Sequence, residues 1–215
     1  MSMSENNEYI ESIINKMQNI TYVQPGDVPN IDLYMDQVTK FMDEYLESSK
    51  RYSDDKLLTK TMINNYTKSD LLPSPEKKKY SKDHMYMLLF IYYLKNILSI
   101  SDTKAILSPL TDMFFKADRH NRNSEEVSLE DIYTEIFELE KEQSNNLTKD
   151  VIRKYERSRD TFEEVGNPEE RDILRAFSFI SMLCFDVYIK KQMLGMIIDD
   201  YFGEKKESKS EKDKK

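Results

Sequence analysis

At 215 residues and 25.6 kDa the chain fits one sizeable domain or two small ones, which excludes a large multidomain enzyme. Four glycines and six prolines leave little turn chemistry for a many-stranded sandwich or barrel, and the single Cys184 excludes an internal disulfide framework or a four-cysteine zinc site. The formal charge of −8 repels phosphate on average, yet six lysines stand against two acids between Leu57 and Lys82, while fifteen acids stand against seven bases between Asn121 and Glu170.

In chain order, Ile10, Ile13, Ile14 and Met17 mark a short leading helix that Pro25, Gly26 and Pro29 end. Asn30 is placed to cap a second helix whose apolar face is Ile31, Tyr34, Met35, Val38, Phe41, Met42 and Tyr45. A polar loop from Ser48 to Lys56 follows. Thr59 then caps a helix that runs to about Ser69, closed by Leu71 and Leu72 against Pro73 and Pro75. Ser81 caps the next helix, and its ten-residue apolar run from Met85 to Leu94 predicts burial all round. Ser99 and Asp102 open a short helix through Leu107 that Pro109 stops. Leu110 to Phe115 is a short apolar segment. Two charged amphipathic helices are expected from Ser128 to Glu142 and from Thr148 to Val165. Pro168, Glu169 and Glu170 open a long final helix with a nearly continuous apolar centre from Ala176 to Ile189. The tail from Glu204 lacks any apolar residue and is expected to be disordered. The reading is an all-α protein throughout.

Catalytic chemistry has few side chains to work with. No HExxH, CxxC, GxSxG or P-loop is present, so no catalytic residue, metal site or cofactor is expected, and the protein reads as a non-enzyme. His84, in the first turn of the buried helix, reads as a packing or capping residue, His120 as an exposed loop residue, and Cys184 as a small buried hydrophobe. The twelve methionines fall mostly at core spacing. The apolar centre of the final helix has 14 residues and includes Asp186, too short to span a bilayer, so no membrane partner is expected. The acid- and amide-rich opening and the lone cysteine read as cytoplasmic.

The segment Leu57 to Leu107 carries the functional signal: two short helices about a turn, a lysine-bearing loop, then a long buried helix. Tyr66, Lys68, Leu71 and Leu72, then Tyr80, Ser81, His84 and Met85, then Ser99, Ile100, Lys104, Ile106 and Leu107 resemble the DNA-binding domain of MerR-type transcriptional regulators. With the runs Leu33 to Val38 and Leu58 to Tyr66, the chain is more closely similar to a YkrK-like group of bacterial proteins with a MerR-like domain, over about residues 20–110. The resemblance implies a recognition helix from Thr59 to Lys68 that enters the major groove, with Tyr66 structural. It departs from the family where Asn64 and Asn65 replace an arginine and a tyrosine, and where a tight loop replaces the two-stranded wing.

Asparagine pairs with adenine in a bidentate manner and reaches phosphate oxygens, whereas lysines anchor phosphates as point charges. The expected DNA-contacting residues are therefore Thr59, Lys60, Thr61, Asn64, Asn65, Lys68, Lys77, Lys78 and Lys79, and the expected partner is double-stranded DNA. The organisation expected is a MerR-like helix-turn-helix domain over 1–108, an acidic helical domain over 109–203 and a tail over 204–215. The final helix, residues about 169–202, is either the centre of a C-terminal bundle or a homodimer interface. The competing reading is a non-enzymatic protein-interaction module that has lost DNA binding. Effector, target sequence and direction of regulation carry no signal in the chain.

Overall fold

A computed structural model describes residues 12–16, 22–116 and 127–203. Residues 12–16 are helical, whereas Ile10, Met17, His120 and the lysine-rich tail lie outside the described residues. Six principal helices follow: α1 (Met35–Tyr45), α2 (Lys60–Lys68), α3 (Lys82–Lys95), α4 (Ile100–Thr111), α5 (Leu129–Arg159) and α6 (Pro168–Tyr201). The protein is mostly helical, with one addition the periodicity did not announce. Strand β1 (Leu33–Tyr34) pairs antiparallel with β2 (Lys79–Tyr80), with Leu33 opposite Tyr80 and Tyr34 opposite Lys79. The all-α fold class stands with this two-stranded addition.

The core is organised around α3. His84 to Tyr92 are all buried, because this helix packs on α4, α5, β2 and the segment before β1. Ser81 occupies its N-cap, and the Ser81 N–H donates to His84 Nδ1 at 3.1 Å. That acceptor role places the imidazole proton on Nε2, and the ring packs edge-on against Tyr80 and Phe115. The expected packing and capping role of His84 is what the structure shows.

The segment Val23 to Val28 is held to the core by tyrosines. Tyr133 donates to the Val23 carbonyl at 2.6 Å, Tyr86 donates to the Pro25 carbonyl at 3.1 Å, and Val23 N–H donates to Tyr93 Oη at 3.4 Å. Burial raises the hydroxyls of Tyr133, Tyr86 and Tyr93 above the usual phenol value, so all three keep their protons at neutral pH. The packed core is continuous from Val23 to Tyr133, with Phe137 against it, and therefore runs on past residue 108.

Further expectations are corrected. Asn30 does not cap α1; the helix starts at Met35, where Gln37 Oε1 accepts from Tyr34 N–H at 2.9 Å, and Ile31 is exposed. Pro109 does not stop α4. Its missing N–H removes one hydrogen bond, but Leu107 and Phe114 are buried on either side of it, and the chain continues into a π-helical turn at Asp112–Lys116.

The two expected acidic helices are one helix of 31 residues, since the polar stretch Gln143 to Leu147 contains neither proline nor glycine to break it. It ends at Arg159, short of the expected Val165. Ser128 caps it, and hydrogen bonds from the Ser128 hydroxyl and N–H hold the Asp131 carboxyl below its ordinary value. Finally, Cys184 is exposed rather than buried, because the described residues cover only one side of the apolar centre of α6. Among the described residues α6 packs on α5 and α4 and leaves its other side exposed, so it stands at the edge of a helical layer rather than at the centre of a bundle. Met42, Met85 and Met87 are core residues as expected, whereas Met113, Met193 and Met196 are exposed.

Candidate nucleic-acid interface

Helix α2 begins where Thr59 Oγ1 accepts from Met62 N–H at 3.2 Å. Ile63 and Tyr66 are buried and fix its inner face against α1, and burial raises the Tyr66 hydroxyl. With that face inward, Thr61, Asn64, Asn65 and Lys68 fall on the outer face and are exposed. The helix ends in a Schellman arrangement. Leu71 N–H donates to the Tyr66 carbonyl at 2.9 Å and Asp70 N–H to the Thr67 carbonyl at 3.2 Å, with Asp70 at φ 55° where glycine is the usual residue. Lys104 on α4 donates to the Ser69 carbonyl at 2.6 Å and so ties the end of α2 to the following helices.

The lysine loop has a defined geometry. Lys79 N–H donates to the Glu76 carbonyl at 2.8 Å, with Lys77 at φ 48° and Lys78 at φ 65° between them. Two central residues at positive φ closing such a bond form a type I′ turn, the kind that joins antiparallel strands most tightly. The expected tight loop is present, but it leads into a strand, and that strand pairs with the residues just before α1. The turn is thereby fixed to the same helix that supports α2, since α1 packs on α2, β1 and β2 alike. Type I′ turns favour asparagine and glycine because a Cβ at positive φ crowds the following carbonyl. Here both positions are lysine, and both are exposed.

Each expected contact residue thus has a place. Thr61, Asn64, Asn65, Lys68, Lys77 and Lys78 are exposed. Thr59 is half-buried and its hydroxyl oxygen is engaged as the helix cap. Lys79 is half-buried in β2, with its ammonium 5.3 Å from the centre of the Tyr34 ring. Lys60 is exposed but ion-paired with Asp36 on α1, a partner that sequence spacing did not signal. Tyr34, exposed and adjoining the lysine turn through the ladder, is a further surface residue that the helical reading of this stretch had assigned to an apolar face.

Helix α5, which carries much of the acidic charge, packs mainly on α3, α6 and the turn Pro25–Asp27. Among the described residues, no group of three or more His, Cys, Asp or Glu is placed to hold a metal ion, and no helix is long and apolar enough to cross a membrane.

A family model for a domain of unknown function, DUF1836, matches residues 23–136. That span begins at Val23 and ends three residues after Tyr133, the two residues joined by the 2.6 Å hydrogen bond across the core. No curated protein and no solved structure matches the chain.

Proposed function

The chain belongs to the DUF1836 family, and we propose that it is a DNA-binding transcriptional regulator with a MerR-like helix-turn-helix and a wing reduced to one turn. The observation that carries this reading is the pair of lysines in the type I′ turn. A turn kept only for its shape gains stability from asparagine or glycine at these positions, so two exposed ammonium groups held there at a conformational cost point to a charged ligand. The exposed amide pair on α2 supplies the other half of the argument.

In this reading Lys68, Lys77 and Lys78 contact phosphates and set the register of the protein on the duplex. Asn64 and Asn65 contact base edges in the major groove, with adenine the favoured partner. The reading is tested by gel shift on random duplex fragments over a salt series. Binding is expected to weaken steeply with salt, and replacing both Lys77 and Lys78 by Glu is expected to flatten the slope by about two or more phosphate equivalents. Exchanging Asn64 and Asn65 for Ala is expected to reduce discrimination among fragments by about 1–3 kcal/mol per lost bidentate contact while leaving the slope nearly unchanged. No shift at low salt overturns the proposal and favours a protein-interaction module.

The Lys60–Asp36 pair gives a separate expectation. Asp36→Asn removes an acid beside α2 and releases Lys60, so duplex binding is expected to tighten and the salt dependence to steepen by about one phosphate equivalent. An unchanged slope in the same assay means that Lys60 lies off the duplex.

A further inference from the structure

Helix α6 presents an apolar seam that the described residues leave open. Ile173, Phe177, Ile180, Cys184 and Val187 follow one another at alternating spacings of four and three, the repeat by which one long helix meets another. Ile173 is 69% exposed, Phe177 67%, Ile180 57% and Val187 62%, and Cys184 is exposed as well. Elsewhere the helix is packed on α5, the turn after it, and α4: Tyr155 packs edge-on against Phe179, Arg175 Nε donates to the Thr161 carbonyl, and Lys154 bridges to Asp186 at 2.6 Å. The open side is a straight stripe about 20 Å long. A stripe of that shape is covered in full by another extended helix.

Charge identifies which helix. Exposed Glu169 and Glu170, with Asp172, precede the seam, and exposed Lys190 and Lys191 follow it. Asp172 and Lys190 are separated by about five full helical turns, so they lie on the same flank of the seam. In an antiparallel pair each flank faces the same flank of the partner, which sets Lys190 of each copy beside Asp172 of the other, and Lys191 beside Glu169 and Glu170. A parallel pair sets lysines level with lysines and acids level with acids. Antiparallel pairing also opposes the two helix dipoles favourably.

From this we infer that α6 joins two copies of the chain in an antiparallel dimer, with the two-fold axis near Ser181. The inference uses no residue of the proposed DNA face, so either can fail without the other.

Sedimentation of the full chain without DNA is expected to give twice the monomer mass at about 20 µM, and Ile180→Glu is expected to weaken the dimer by about 100-fold or more with unchanged helix content by circular dichroism. Reversing Lys190 and Lys191 to Glu is expected to weaken self-association, and mixing that variant with one carrying Glu169→Lys and Asp172→Lys to restore it.

Cysteine mapping reads the register. In a Cys184→Ser background, Ile180→Cys sits about 3 Å along the axis from its copy and is expected to cross-link to itself, whereas Ile173→Cys, about 24 Å from its copy, is expected not to. A monomer at 20 µM overturns the inference. So does self-cross-linking of Ile173→Cys, which means parallel pairing, or a monomer that binds phosphatidylcholine vesicles through this face, which means a lipid occupant.

Discussion

Exchanging Lys77 for Asn and Lys78 for Gly is expected to make the protein more stable and, under the proposed function, a weaker DNA binder at once. Each lysine sits at positive φ, where a side chain costs about 1–2 kcal/mol, and the Asn-Gly pair relieves most of that cost at both positions. The added glycine returns about 0.5–1 kcal/mol as unfolded-chain entropy. A net gain of about 1 kcal/mol remains, which raises Tm by about 2–4 °C in a chain of this length. The same exchange deletes two ammonium groups, so duplex affinity falls and the salt slope loses about two phosphate equivalents. Thermal unfolding and gel shift on one variant read both effects. Stability and binding moving together, in either direction, contradicts the assignment of these lysines to phosphate.

The second large effect lies in the core. Tyr133→Ala is expected to destabilise by about 3–5 kcal/mol, as a buried aromatic is lost together with its ring contacts to Tyr86 and Phe90. Tyr133→Phe keeps the ring and strands the Val23 carbonyl, at a cost of about 1–3 kcal/mol. Denaturant titration measures both. Hydrogen exchange in the Tyr133→Phe variant is expected to rise at residues 22–28 more than in α3, because only the local restraint on that segment is removed. Uniform loss of protection means that the bond acts on the whole core rather than on the segment it touches.

What was legible in the sequence was what local chemistry determines. Thr59, Ser81 and Ser99 each stand at the start of a helix, and Pro168 occupies the first turn of α6. The burial of α3 followed from ten apolar residues in a row, since a helix apolar on every face has no polar side to turn to water. The outward face of α2 followed from the positions of Ile63 and Tyr66.

Other features depend on partners distant in the chain. A two-residue strand has no period to detect, and Lys79–Tyr80 becomes one because Leu33–Tyr34 lies beside it. The positive φ angles at Asp70, Lys77 and Lys78 carry no glycine to announce them. The Lys60–Asp36 pair joins two helices across a 24-residue separation in sequence, beyond the reach of helical spacing. Cys184 was misplaced for a different reason: an apolar run implies that something covers it, and among the described residues nothing covers this side of α6.

The bond between Tyr133 and Val23 spans 110 residues, and it governs when the protein can become itself on the ribosome. The opening segment leaves the exit tunnel first, yet its acceptor waits for a tyrosine that elongation delivers roughly 5–20 s later. During that interval the long greasy helix α3 has emerged without its lid, and the nascent chain is at its most adhesive. Completion of the first two turns of α5 is the event that closes the molecule.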